Sequence, residues 1–171
     1  MATTVGAAAR PQLSETAQVL LMQCAFGRYR DQEELPTVGA VAASLRIPHQ
    51  VSDEALVELV AAGVLEPRWQ DRHVIRPRAM WPIQVRRPTP AAEAVARRII
   101  GDITAPRTPA ATELPSLRQL AATYGVNVDV VREGLRLAAV REAVALVPGR
   151  PATVILPLPT ARRAPSGTVS R

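Results

Sequence analysis

Six stretches of the chain carry apolar residues at helical spacing, and short apolar runs after the third and sixth read as strands. Ser14 suits the N-cap of a first helix reaching about Phe26, with Leu20, Leu21 and Cys24 on its apolar side. The loop Gly27–Glu34 ends at Leu35-Pro36, where Pro36 keeps Leu35 out of the helical region and Thr37 caps a second helix, about Val38–Leu45. A tight turn at Arg46-Ile47-Pro48 leads to a third helix from about Gln50 to Ala62. Its buried side is expected to hold Val51, Ala55, Leu56, Leu59 and Val60. Gly63 suits a left-handed helix end, and strands Val64–Arg68 and Arg72–Arg76 follow.

The same plan then recurs. Leu114-Pro115-Ser116-Leu117-Arg118-Gln119-Leu120-Ala121 echoes Leu35-Pro36-Thr37-Val38-Gly39-Ala40-Val41-Ala42 at a spacing of 79 positions. The register runs without a gap from about Ala17/Ala96 to Leu65/Val144. One inserted residue near the turn then pairs His73–Pro77 with Thr153–Pro157. Helices are expected over about Ala91–Ile103, Leu117–Tyr124 and Val128–Arg141, with strands Val144–Pro148 and Thr153–Leu156. A repeat this long is two tandem copies of one small domain rather than a solenoid.

The expected fold class is mainly α with small β-wings: two tandem winged helix-turn-helix domains. The divisions are a loose arm at 1–12, a domain at 13–77, a proline-rich stiff linker at 78–90, a domain at 91–157 and a disordered basic tail at 158–171. Trp81 in the linker is too large to leave wet and should pack on one domain. Every one of the 21 basic residues is arginine. Residues 1–85 hold 8 Arg against 9 acids, and residues 86–171 hold 13 Arg against 6 acids, so the positive field belongs to the second half. That imbalance points to a polyanionic partner.

Within the second copy, Leu114-Pro115-Ser116 with Arg118 and Leu120-Ala121 is followed by Tyr124-Gly125-Val126, Val131-Arg132-Glu133 with Leu135, and a wing with Gly149-Arg150 and Thr153-Val154. This series resembles the DNA-binding domain of GntR-family bacterial transcription regulators over about Ala92–Pro157. The first copy, about Ser14–Pro77, is similar but more diverged. The family's usual larger effector-binding and dimerising domain is not expected here, because a second winged helix takes up its length.

Reading a duplex needs a helix that fits the major groove and side chains that reach base edges. On the sixth helix Asp129, Arg132, Glu133 and Arg136 point away from the side holding Val130, Val131, Gly134, Leu135 and Ala138. The resemblance makes Arg132 the base-reading arginine and Arg118 its partner on the preceding helix. Asn127 stands where a capping serine is usual, and Val128 stands where an arginine is usual. Ser116 caps the preceding helix near a phosphate path, Arg150 at the wing tip suits a minor-groove or phosphate contact, and Thr153 lies beside it. Glu133 and Arg136 also suit local helix ion pairs.

The first copy has Gly39 for Arg118 and Asp53 for Arg132, and Asp53, Glu54 and Glu58 decorate its third helix, which a phosphate lattice repels. Thr37, His49, Gln50, Ser52 and Arg72 remain as weaker DNA or partner contacts.

Enzyme chemistry finds no support. There is no glycine-rich phosphate loop and no metal-spaced cluster, and His49 and His73 are the sole histidines. No cofactor or metal is expected. Cys24 is a small core hydrophobe with no thiol to pair with. Without a membrane span or signal peptide, a cytoplasmic, nucleoid-associated protein is expected. The function expected is a sequence-specific regulator, a repressor acting by occlusion, with double-stranded DNA as partner and a homodimer or protein contact through the first domain. The alternatives are a plasmid or phage replication or partition protein and a protein-binding winged-helix adaptor.

Overall fold

The computed structural model describes residues 12–104, 109 and 111–155; the expected arm up to residue 11 and the tail lie outside the described residues. The elements run α1 (Glu15–Ala25), α2 (Val38–Leu45), α3 (His49–Ala61), β1 (Leu65–Arg68), β2 (Arg72–Ile75), α4 (Pro90–Thr104), α5 (Leu117–Tyr124), α6 (Val128–Val140), β3 (Val144–Ala145) and β4 (Thr153–Val154). A helix-helix-helix-hairpin order thus occurs twice, and it fits a winged helix.

Local chemistry explains the boundaries. Ser14 Oγ accepts from Ala17 N–H at 3.2 Å and Thr37 Oγ1 from Ala40 N–H at 3.3 Å. Asn127 Oδ1 accepts from Val130 N–H at 2.9 Å. Ser116 and Gln119 form a reciprocal capping box, in which Gln119 Oε1 accepts from Ser116 N–H at 2.9 Å. Each cap satisfies an N–H that the first helical turn leaves without a partner, typically contributing about 1 kcal/mol. α3 instead starts behind Pro48, with no side-chain cap.

The 79-residue spacing persists in the backbone hydrogen bonds. Leu35 N–H donates to His73 C=O, and Leu114 N–H to Ala152 C=O. Arg76 N–H donates to Val64 C=O, and Ile155 N–H to Ala143 C=O. The pairing Leu65↔Ile75 returns as Val144↔Val154, and the bridge Glu34↔Val74 as Glu113↔Thr153. The inserted residue expected near the turn is therefore not there. Sequence likeness between His73-Val74-Ile75 and Thr153-Val154-Ile155 suggested a slip, but backbone pairing keeps the original register. Positive φ follows the same spacing at Gln32/Ala111, Arg46/Gly125, Gly63/Glu142 and Gln70/Gly149. In the last three of these pairs, one half holds glycine where the other strains a side-chain-bearing residue.

The two halves share one core. α1 packs on α3 within its own half and on α6 across the chain. Val19, Leu45 and Ile47 meet Ala139, Val144 and Leu146 across the seam. Polar contacts edge it: Thr16 Oγ1 donates to Leu146 C=O at 3.2 Å, Gln23 Nε2 donates to Val140 C=O at 3.3 Å, and Arg28 pairs with Glu142. Thr16 and Gln23 are buried, so these bonds offset the desolvation that burial would otherwise cost.

The linker corrects one expectation, since it contains a 3-10 turn at Arg78–Met80 and α4 already begins at Pro90. Trp81 packs as expected, its Nε1–H donating to Arg76 C=O at 2.7 Å. Arg78 is tied to Asp31 and to Tyr29 C=O. The linker's start therefore lies along the first half.

Candidate nucleic-acid interface

The orientation of α6 is set from below. Val131, Leu135 and Ala138 are buried on its inner side, and Gly134 lets α4 come close. Glu133 reaches back to the start of α4, accepting from Thr89 N–H at 3.1 Å and Thr89 Oγ1–H at 3.2 Å. At the far end of α5, Tyr124 donates to Asp102 at 2.9 Å and lies under the Arg98 guanidinium at 4.8 Å. Burial, the bond to Asp102 and its negative charge push that phenol up to about 12, so it stays a donor across the ordinary pH range. α5 and α6 are thereby clamped to α4, and their open ends present a fixed set of groups.

Those groups lie around a cleft of about 320 Å³ between the start of α5, α6 and the second hairpin, with Glu15 at the start of α1 also in its wall. Ser116, Arg132 and Arg150 line it above an apolar floor that includes Leu117, Leu135 and Val147. Arg118, Asn127 and Asp129 are exposed, while Val128 and Thr153 are half-buried. Arg118 and Arg150 have no salt bridge among the described residues, whereas Arg132 donates to Asp129 at 2.5 Å. That carboxylate lies within one helical turn and leaves the Arg132 side chain 39% exposed. The structure thus gathers Ser116, Arg132 and Arg150 around one cleft of the second half, with Arg118 exposed two residues beyond Ser116 on α5.

Two expected contacts are corrected. Arg136 is not on the open face: its Nε and Nη2 donate to the two carboxylate oxygens of Glu15 at 2.5 and 2.8 Å, across the seam. Neither Arg136 nor Glu133 makes the local helix pair that their spacing suggests. Ser52 is wholly buried, and its hydroxyl donates to Val38 C=O at 3.2 Å, tying α3 to α2. It cannot reach a base. The other first-half candidates are exposed or half-engaged. Thr37 caps α2, His49 opens α3, Gln50 donates to Glu54 at 2.9 Å, and Arg72 pairs with Glu34. Glu58 accepts from Ser14 N–H at 2.7 Å, so one of the three acids on α3 serves the start of α1.

Sequence reasoning missed Glu15, whose role depends on a contact 121 residues away that no local pattern announces. It also passed over Arg46, which ends α2 with φ +54, a turn position where the second half has Gly125.

The arrangement defines a mainly helical chain with two small hairpins and a cationic helix end beside the second of them. Residues 91–154 match the model of the bacterial regulatory proteins, gntR family. No curated protein and no solved structure gives a significant match to the chain. Among the described residues, no helix is long and apolar enough to cross a membrane, and no cluster of three or more His, Cys, Asp or Glu could hold a metal ion.

Proposed function

We propose that this chain is a DNA-binding transcription regulator made of two tandem winged-helix units, in which the second unit reads the major groove. The observation carrying this reading is a cleft beside a capped α6 lined by the half-buried Arg132 and the exposed Arg150, with Arg118 exposed on α5, inside the segment that matches the gntR family model. An arginine at Arg132 can donate bidentately to guanine O6 and N7, which is worth about 1–3 kcal/mol of discrimination. Asn127 and Ser116 cap the starts of α6 and α5, whose remaining first-turn N–H groups suit phosphate oxygens. Repression by occluding a promoter is the simplest output of such a reader. The first unit has Asp53 and Glu54 exposed on α3, so it favours protein contact or a weaker grip on DNA.

Salt dependence tests the reading. With four to six phosphate contacts, the log–log slope of affinity against salt should lie near about −4 to −6. Selection of bound sequences from a random duplex library should return a defined motif, palindromic if two chains pair and asymmetric if one suffices. A protein that shifts no duplex even at low salt would instead be an adaptor.

A further inference from the structure

The second hairpin has a groove on each side, and Arg150 lines both. On the α6 side lies the cleft with Arg132. On the other side a groove of about 550 Å³ runs along the seam between the halves, and its far wall is Arg46 and Pro48 from the α2–α3 turn of the first half. The rest of that groove is Ala111, before α5, and the hairpin with its end, including Ala145, Pro151 and Thr153. No carboxylate lines it. Glu113, paired with Thr153 in an isolated bridge, lies outside the lining.

The first half contains the same groove 79 positions earlier, along β1 and β2, and there two carboxylates, Glu34 and Glu66, line it. Glu66 pairs with Arg68 at 3.3 Å and Glu34 with Arg72, so two of the three arginines lining it have a carboxylate partner, while Arg76 lines it with no salt bridge among the described residues. In the second half the positions of Glu66 and Arg68 are Ala145 and Val147, and those of Arg72 and Asp71 are Pro151 and Arg150. The second groove thus has two arginines without a salt bridge among the described residues, one from each half.

Resting on the reading of the second half as a duplex reader, we infer that this seam groove holds the sugar-phosphate backbone running on past the hairpin, gripped between Arg46 and Arg150. The cationic path is then Arg132, Arg150, Arg46, with Thr153 as a neutral hydroxyl along it. The first half takes part in DNA binding through the end of α2 and not through its acid-bearing α3. Arg46 is a phosphate contact with no part in base choice.

The test is a salt titration of the full-length chain on a fluorescein-labelled mixed-sequence duplex, read by anisotropy. Arg46→Gly removes the charge at a position whose φ of +54 glycine adopts without strain, so the fold is retained. Arg46→Gly and Arg150→Ala should each make the log–log slope shallower by about 1, and together by about 2. Arg46→Glu should weaken binding further than Arg46→Gly. If Arg150→Ala flattens the slope while both Arg46 variants bind as wild type, the seam groove is empty and the duplex reading still stands. If wild type binds no duplex at low salt, the reading beneath the inference fails. Stabilisation of wild type by inorganic tripolyphosphate, lost in Arg46→Gly, with no duplex binding would assign the groove to a small anion and overturn the proposal.

Discussion

Gly134 sits where α6 crosses α4, and a methyl group there tests whether this crossing sets the position of the candidate reading helix. A Cβ built on Gly134 lies 2.6 Å from Val95 Cγ1, 2.9 Å from Val95 Cβ and 3.2 Å from Ala92 carbonyl oxygen. The first atom could rotate away. Val95 Cβ and the Ala92 carbonyl are fixed by the backbone of α4, so the two helices must separate. Two effects oppose each other in Gly134→Ala. Alanine favours a helix interior by about 1 kcal/mol over glycine. Overpacking at a site held by backbone costs about 1–3 kcal/mol, and displacement spreads along the whole crossing, so the upper part of that range applies. The net expectation is a loss of about 1–2 kcal/mol, a fall in melting temperature of about 2–8 °C for a chain of this size. Circular-dichroism melts and urea titration measure it. Val95→Ala alone opens a void, yet in the Gly134→Ala background it should restore part of the loss, because it removes the 2.6 Å contact. A Gly134→Ala variant that melts at or above wild type would refute the close crossing of α4 and α6.

Three further outcomes follow from the geometry. Arg132→Ala should cost about 1–3 kcal/mol on the best site and blur sequence preference, whereas Arg150→Ala should weaken all sequences more evenly; wild-type affinity and selectivity in Arg132→Ala would remove it from the reading role. Arg136→Ala and Glu15→Ala should each lower thermal stability, and a double-mutant cycle should return a coupling of about 1 kcal/mol for this partly buried bidentate pair; unchanged melting with weakened duplex binding would put Arg136 back among the DNA contacts. Burial pushes the Cys24 thiol from its ordinary 9.0 up to about 12, so the folded chain should resist alkylation at pH 8 until denaturant is added. Because the folded value lies above the unfolded one, this thiol's contribution to stability is complete below pH 9 and is lost as pH rises toward 12, and Cys24→Ala should flatten that alkaline decline.

Much of this was legible from short-range chemistry. α2 and α5 begin and end where capping and turn residues placed them, because Thr37, Ser116 and the Leu-Pro pair before each act within one helical turn. The burial of Leu20, Leu56, Leu59, Val131 and Leu135 followed from helical spacing. What failed was long-range or subtle. Ser52 reads as a polar surface residue until its hydroxyl is seen bonded to Val38 C=O inside the core. Arg136 has the right spacing for the open face, and only the packing of α1 on α6 explains why it turns to Glu15. The wing register misled because three similar residues outweighed a ladder of backbone bonds that no sequence displays. At the candidate site, cap residues and arginines could be named, but which arginines remain uncommitted depends on carboxylates brought in by folding.

The wedge of α1 between α3 and α6 has a practical consequence. A truncated chain beginning at the linker would bare Leu137, Ala139 and Val144, which the first half now keeps dry, and such a fragment would be prone to self-association. The halves also cannot slide or swivel independently as beads on a string do. Any operator that touches both must present its two contact points at one set distance, so inserting base pairs between them should abolish the second contact outright rather than weaken it by degrees.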